Sequence, residues 1–153
     1  MNLSFLLSLV EQLPEYQQLK GKLLGVHKGE MKLVVPDAVE PYLIAALHKE
    51  LNSPILVMVA QPENAKRLYD ELQVWCPGST LLQFFPETDF LADRYSVSDL
   101  ITTTERLRTL STLSLCHDTS SDGQSFPLIL SSALAAVSKT MPQEEFIASC
   151  HTL

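Results

Sequence analysis

Hydrophobic and polar positions along the chain follow two different periods. Leu3, Leu6, Leu7, Val10 and Leu13 recur at helical spacing near the start. They predict an amphipathic helix that packs on a protein surface until Pro14 interrupts it. Residues 15 to 30 are polar, with Gly21, Gly25 and Gly29, and read as a weakly helical connector. MKLVV (31–35) has the length and composition of a strand, and in residues 38 to 51 Leu43, Ile44, Leu47 and Leu51 align on one helix face behind Asp37 as N-cap. PILVMVA is apolar throughout, the mark of a strand covered on both faces in a parallel sheet.

Pro62 then opens a helix whose inward stripe is Ala65, Leu68, Leu72 and Trp75, and Pro77 and Gly78 stop it. TLLQFF is a third strand, residues 86 to 97 a loop, and residues 98 to 114 a helix with Leu100, Leu107 and Leu110 on one face. Residues 116 to 126 read as a polar surface loop. PLILSS is a fourth strand, Ser131 or Ser132 caps ALAAVSK, and Pro142 starts a short last helix. The order predicts an α/β fold: an open, mostly parallel sheet with helices on both faces. Residues 1–30 form an N-terminal helix and connector, and residues 31–153 the α/β domain. The ending at SCHTL reads as a longer polypeptide cut after a strand and helix.

With 153 residues the chain suffices for one domain with a substantial core. A formal net charge of -7 and the lack of basic clusters disfavour autonomous nucleic-acid binding. Cys76, Cys116 and Cys150 are odd in number and lack CxxC spacing, which excludes a disulfide framework and suits a reducing cytoplasm. His27, His48, His117 and His151 are scattered without metal-ligand spacing, so no metal site is expected. The first helix lacks a basic leader and Glu11 breaks its apolar run, so it reads as neither signal nor membrane span.

A strand followed by a turn and a helix is a place where α/β proteins bind phosphate. Here the turn from Val35 to Tyr42 holds no Gly, Lys, Ser or Thr; Asp37 and Glu40 repel an anion, and Pro41 has no N–H. Ser131 and Ser132 follow a strand without the glycines of a nucleophile elbow. Cys76 lies at the electronegative end of its helix, which raises a thiol pKa. No catalytic residue is assigned, and the chain is read as non-enzymatic.

FPETDFLADRYSVSDLITTTERLRTL resembles a signature in the N-terminal module of bacterial transcription-repair coupling factors, a module related to the first domain of the excision-repair helicase subunit UvrB. Phe85, Pro86, Glu87, Thr88, Ser96, Glu105, Arg106, Leu107 and Leu110 carry it. LIAALHKELNSPILVMVAQPENAKRLYDEL and PLILSSALAAVSKTMPQEEF are similar to flanking family segments, so the likeness runs over roughly residues 20 to 150.

The resemblance implies an ATP-driven DNA translocase that removes stalled RNA polymerase and recruits nucleotide excision repair through the damage sensor UvrA. In that family the motor, with its ATP and magnesium, and the polymerase- and DNA-binding parts lie downstream. UvrA is met mainly through the domain that follows. This module would be a helicase-like fold with a decayed Walker A site: Val35 would stand at its start, Glu40 at its last Gly, and Pro41 and Tyr42 at its Lys and Ser/Thr. No cofactor is expected here. The related helicase inserts a long aromatic hairpin after its third strand, and residues 86 to 97 are too few for one, so no lesion clamp is expected. Arg94, Glu105 and Arg106 are candidates for contacts with a partner or another domain of the same protein. Two other readings are a small α/β nucleotide-binding enzyme with a site at the strand ends and a free-standing protein-binding module.

Overall fold

A computed structural model describes residues 3–25, 29–51, 53–76, 82–88, 97–118, 126–138 and 140–149. The sequence folds into helices α1 (Leu7–Val10), α2 (Pro14–Gly25) and α3 (Glu40–Leu51), strand β1 (Ile55–Val59), and helix α4 (Pro62–Trp75). Strand β2 (Leu82–Phe85), helix α5 (Val97–Asp118), strand β3 (Leu128–Ser132) and helices α6 (Ala133–Val137) and α7 (Gln143–Ser149) complete it. Short 3-10 turns cover Ser4–Leu6 and Asp37–Val39. The three strands form one open parallel sheet in the order β1-β3-β2. Leu56 is opposite Ile129, which is opposite Gln83, and Met58 is opposite Ser131, which is opposite Phe85.

Helices α3 and α4 cover one face. Their Ala45, Ala46, Leu68 and Leu72 share a core with Leu128 and Leu130, and Ile55, Val57, Leu82 and Phe84 pack against it. Gln61 is extended and Pro62 occupies the start of α4, where a missing N–H breaks no helical bond. Ala65, Leu68 and Leu72 are buried at helical spacing, as the pattern predicts. On the opposite face α5 and α6 pack over β2 and β3, with Phe85, Ile129 and Ala135 buried beside Leu110. Ser132 caps α6 by accepting from Ala135 N–H at 3.2 Å.

Five expectations are corrected, the last of them at the N-terminus. Residues 31–35 form no strand. They are unpaired, and residues 31–34 are exposed, with Val34 86% accessible, because strand propensity alone does not form a ladder. β1 is an edge strand whose second face is largely open: Leu56 and Met58 are 54% and 57% exposed, because α5 packs on β2 and only the five-residue α6 touches β1 on that side. The connector after Pro14 is a regular helix through Gly25 whose Tyr16 is buried. On α5, Leu100 and Leu107 face outward at 69% and 50%, while Arg106 and Thr109 are buried.

The N-terminal apolar positions are a 3-10 turn plus a single helical turn rather than one helix. They pack on the chain itself. Leu7 and Val10 are buried, Leu3 N–H donates to the Val74 carbonyl at 3.0 Å, and the Tyr42 hydroxyl donates to the Leu6 carbonyl at 2.8 Å. Ion pairs tie this region to α3, Lys20 with Glu50 and Lys49 with Glu11. Among the described residues no helix is long and apolar enough to cross a membrane.

Candidate functional site

Parallel strands aim their carboxyl ends at one rim of a sheet, and ligands of open α/β sheets bind there. On this rim Phe85 and Ser132 end adjacent strands, and Pro86, Glu87 and Thr88 continue from β2. The Ser132 hydroxyl donates to the Glu87 carboxylate while accepting from Ala135 N–H, so both its roles are filled. Ser131 donates to the Phe85 carbonyl at 3.1 Å and is 1% exposed. Ser131 has backbone carbonyls as its partners and Ser132 has a carboxylate and a backbone N–H, and both act as braces between β2, β3 and α6.

Arg106 enters this rim from α5. Its guanidinium donates to the Pro86 carbonyl at 2.8 Å and to Ser138 Oγ at 3.0 Å, and its Cζ lies 4.0 Å from the centre of the Phe85 ring. Ser138 itself donates to the Ala135 carbonyl at 2.6 Å. Burial lowers the Arg106 pKa from its usual value. One turn on, the Thr109 hydroxyl reaches the Phe84 and Glu105 carbonyls at 3.3 and 3.0 Å. Through these two polar side chains α5 holds the end of β2.

Beside the brace lies a largely apolar groove of about 560 Å³ between α5, α6 and the 140–149 segment, lined among others by Leu107, Leu134, Val137, Met141 and Phe146. Its surfaces suit apolar contact. Among the described residues its polar lining is hydroxyls and the Arg106 guanidinium, with no carboxylate, imidazole or thiol.

The turn before α3 is built differently. Pro36 is extended, Asp37–Val39 make a 3-10 turn, and α3 begins at Glu40. Pro41 is buried in the first helical turn. The Tyr42 ring meets Trp75 edge-on at 5.0 Å, and its hydroxyl is held by Leu6. Val35 and Glu40 are half-buried. The groove beside Pro41 is lined by Asp37, Arg67 and Glu71, and Arg67 is engaged by Glu71 at 3.5 Å. Acid outnumbers base there. No strand is formed by the residues that lead into this turn.

The sequence-predicted candidates are thus dispersed. Val35, Glu40, Pro41 and Tyr42 cluster at the start of α3, Arg106 is on the rim, Glu105 is exposed on the same helix, and Arg94 lies outside the described residues. Arg106 is turned inward, so its guanidinium fork serves the chain's own rim. Ser138 and Thr109 escaped the sequence reading. The only signal for Thr109 is that a short polar residue sits three positions after Arg106, in the middle of a helical stripe.

Cys76, at the end of α4, is half-buried, and burial pushes its thiol up to about 11. Among the described residues no group of three or more His, Cys, Asp or Glu side chains could hold a metal ion. No family model, curated protein or solved structure matches the chain.

Proposed function

We propose that the chain is the N-terminal, repair-helicase-like module of a transcription-repair coupling factor and that it works in the cytoplasm as a non-catalytic adaptor. The observation that carries this reading is the convergence of the resembling stretches on one structural brace. Arg106, from the helical half of the FPET to RL segment, stacks on Phe85 and bonds to Pro86 from its other half. Glu87 of that segment takes the hydroxyl of Ser132, which belongs to the PLILSS stretch. Residues far apart in the chain that resemble one family therefore share one mechanical task, fixing the rim from which the next part of the polypeptide would be presented.

The groups at the start of α3 support an inert nucleotide position. A triphosphate there would meet Glu40 and Asp37 without a lysine, and Pro41 supplies no N–H. Charge repulsion near a protein surface is worth about 4 kcal/mol at close range. In this reading ATP and magnesium act only in a downstream motor. RNA polymerase and DNA are met by downstream domains, UvrA mainly by the following domain, and this module contacts the remaining domains of the same protein.

The reading frame that encodes the chain tests the proposal. Helicase motor motifs are expected downstream of the codon for Leu153, and a frame closing without them would contradict the assignment.

A further inference from the structure

The free edge of β1 and the unpaired segment Met31–Val35 are each incomplete, and we infer that Met31–Val35 docks within the same chain as a fourth parallel strand on that edge. Three observations converge on this pairing, and none depends on the functional reading above.

The edge is open. Ile55 N–H donates to the Pro127 carbonyl at 3.0 Å, which directs the main-chain groups of Ile55, Val57 and Val59 toward β3. In a parallel ladder successive residues alternate sides, so the N–H and carbonyl groups of Leu56 and Met58 point away from β3. No described residue bonds them. Their side chains are more than half exposed.

The segment fits in kind. Met31, Leu33 and Val34 are 40%, 51% and 86% exposed, the segment belongs to no helix or strand, and no described residue bonds its backbone. An exposed run that ends in two β-branched residues and an open strand edge elsewhere in the same chain are matching pairing templates.

The handedness of the fold selects the place. β1 reaches β2 by way of α4 on one face, travelling across β3, and β2 returns to β3 by way of α5 on the other face. Both crossovers therefore have one hand, as connections between parallel strands do. Helix α3 joins residues 31–35 to β1 and lies on the same face as α4. A crossover of that hand on that face must travel in the direction from β1 to β2. It places 31–35 outside β1, at the free edge, giving an order in which the new strand precedes β1-β3-β2. The twelve residues of α3 are ample for such a crossover.

Residue-resolved amide exchange by NMR on the full chain tests the inference. In the parent protein the Leu56 and Met58 amides should exchange at least about tenfold slower than open-chain amides, with cross-strand proton contacts between 31–35 and 56–58. Leu33→Pro and Val34→Pro probe opposite sides of the segment, so one of them removes a ladder donor. That variant should abolish the protection at Leu56 and Met58 while the amides of Leu128, Ile129 and Leu130 stay protected. Open-chain exchange at Leu56 and Met58 in the parent, absence of the cross-strand contacts, or protection indifferent to both prolines would overturn it. Protection that grows with protein concentration would mean exchange of strands between two copies and would overturn the in-chain pairing.

Discussion

Replacing Arg106 with methionine removes the guanidinium while keeping an unbranched apolar stem over Phe85. Two hydrogen bonds from a cation are lost, to the Pro86 carbonyl at 2.8 Å and to Ser138 Oγ at 3.0 Å. Each is worth about 1.5 to 3 kcal/mol. The ring contact at 4.0 Å adds about 0.5 to 2 kcal/mol in the parent. Two effects oppose this loss. The desolvation of a buried cation is relieved, and it costs several kcal/mol by itself. Ser138 also retains its bond to the Ala135 carbonyl, so only the Pro86 carbonyl is orphaned. The balance predicts a net destabilisation of about 1 to 3 kcal/mol. Urea unfolding followed by circular dichroism should show a lower midpoint with an unchanged slope. Combined with Ser138→Ala in a double-mutant cycle, the pair should couple by about 0.5 to 2 kcal/mol. A methionine variant as stable as the parent, with zero coupling, would refute the claim that Arg106 is a brace. It would return Arg106 to the role of an outward contact residue.

Tyr16 is 3% exposed and its hydroxyl has no hydrogen-bond partner among the described residues. Tyr16→Phe should therefore be neutral or stabilising, by up to about 1 kcal/mol, in the same urea assay. Burial, then the carboxylates of Glu50 and Glu11 and the neighbouring Tyr42, push the Tyr16 phenol up to about 12 from its ordinary value of 10.0. The folded state thus holds this proton more tightly than the unfolded state. Its contribution is complete below the unfolded value and is lost as pH rises through the folded one. Between pH 10 and 12 the parent should lose stability more steeply than Tyr16→Phe, and parallel curves would contradict the burial of an un-ionised phenol. Ser132→Ala removes the cap of α6 and the donor to Glu87, and should destabilise by about 1 to 3 kcal/mol, with loss confined to under 0.3 kcal/mol arguing against the brace.

What the sequence made legible was the part decided by local signals. α4 has a proline at its start and a regular apolar stripe, and both survive because the same residues that favour the helix also face the sheet. The cap at Ser132 was readable because a hydroxyl between a strand and an alanine-rich run has few other uses. The failures share a cause. Residues 31–35 carry strand propensity, but pairing is a property of two segments and only one is visible in a local pattern. The PILVMVA run says that β1 is apolar, not that a second layer of helices reaches its outer face at Leu56 and Met58. The inward face of α5 was hidden because Arg106 and Thr109 are buried through hydrogen bonds to strand ends, which periodicity of apolar residues does not register. Of the candidate site, the residues at the start of α3 were found together, whereas the inward turn of Arg106 depends on Pro86 and Ser138, which are distant in sequence.

Titration calorimetry of the whole chain with ATP and magnesium puts the most direct question to the idea of a motor-like fold that no longer grips nucleotide. With Glu40, Pro41 and Tyr42 at the head of α3 in place of a lysine-bearing, N–H-rich turn, only heat of dilution is expected. Saturable heat with a micromolar dissociation constant would contradict it.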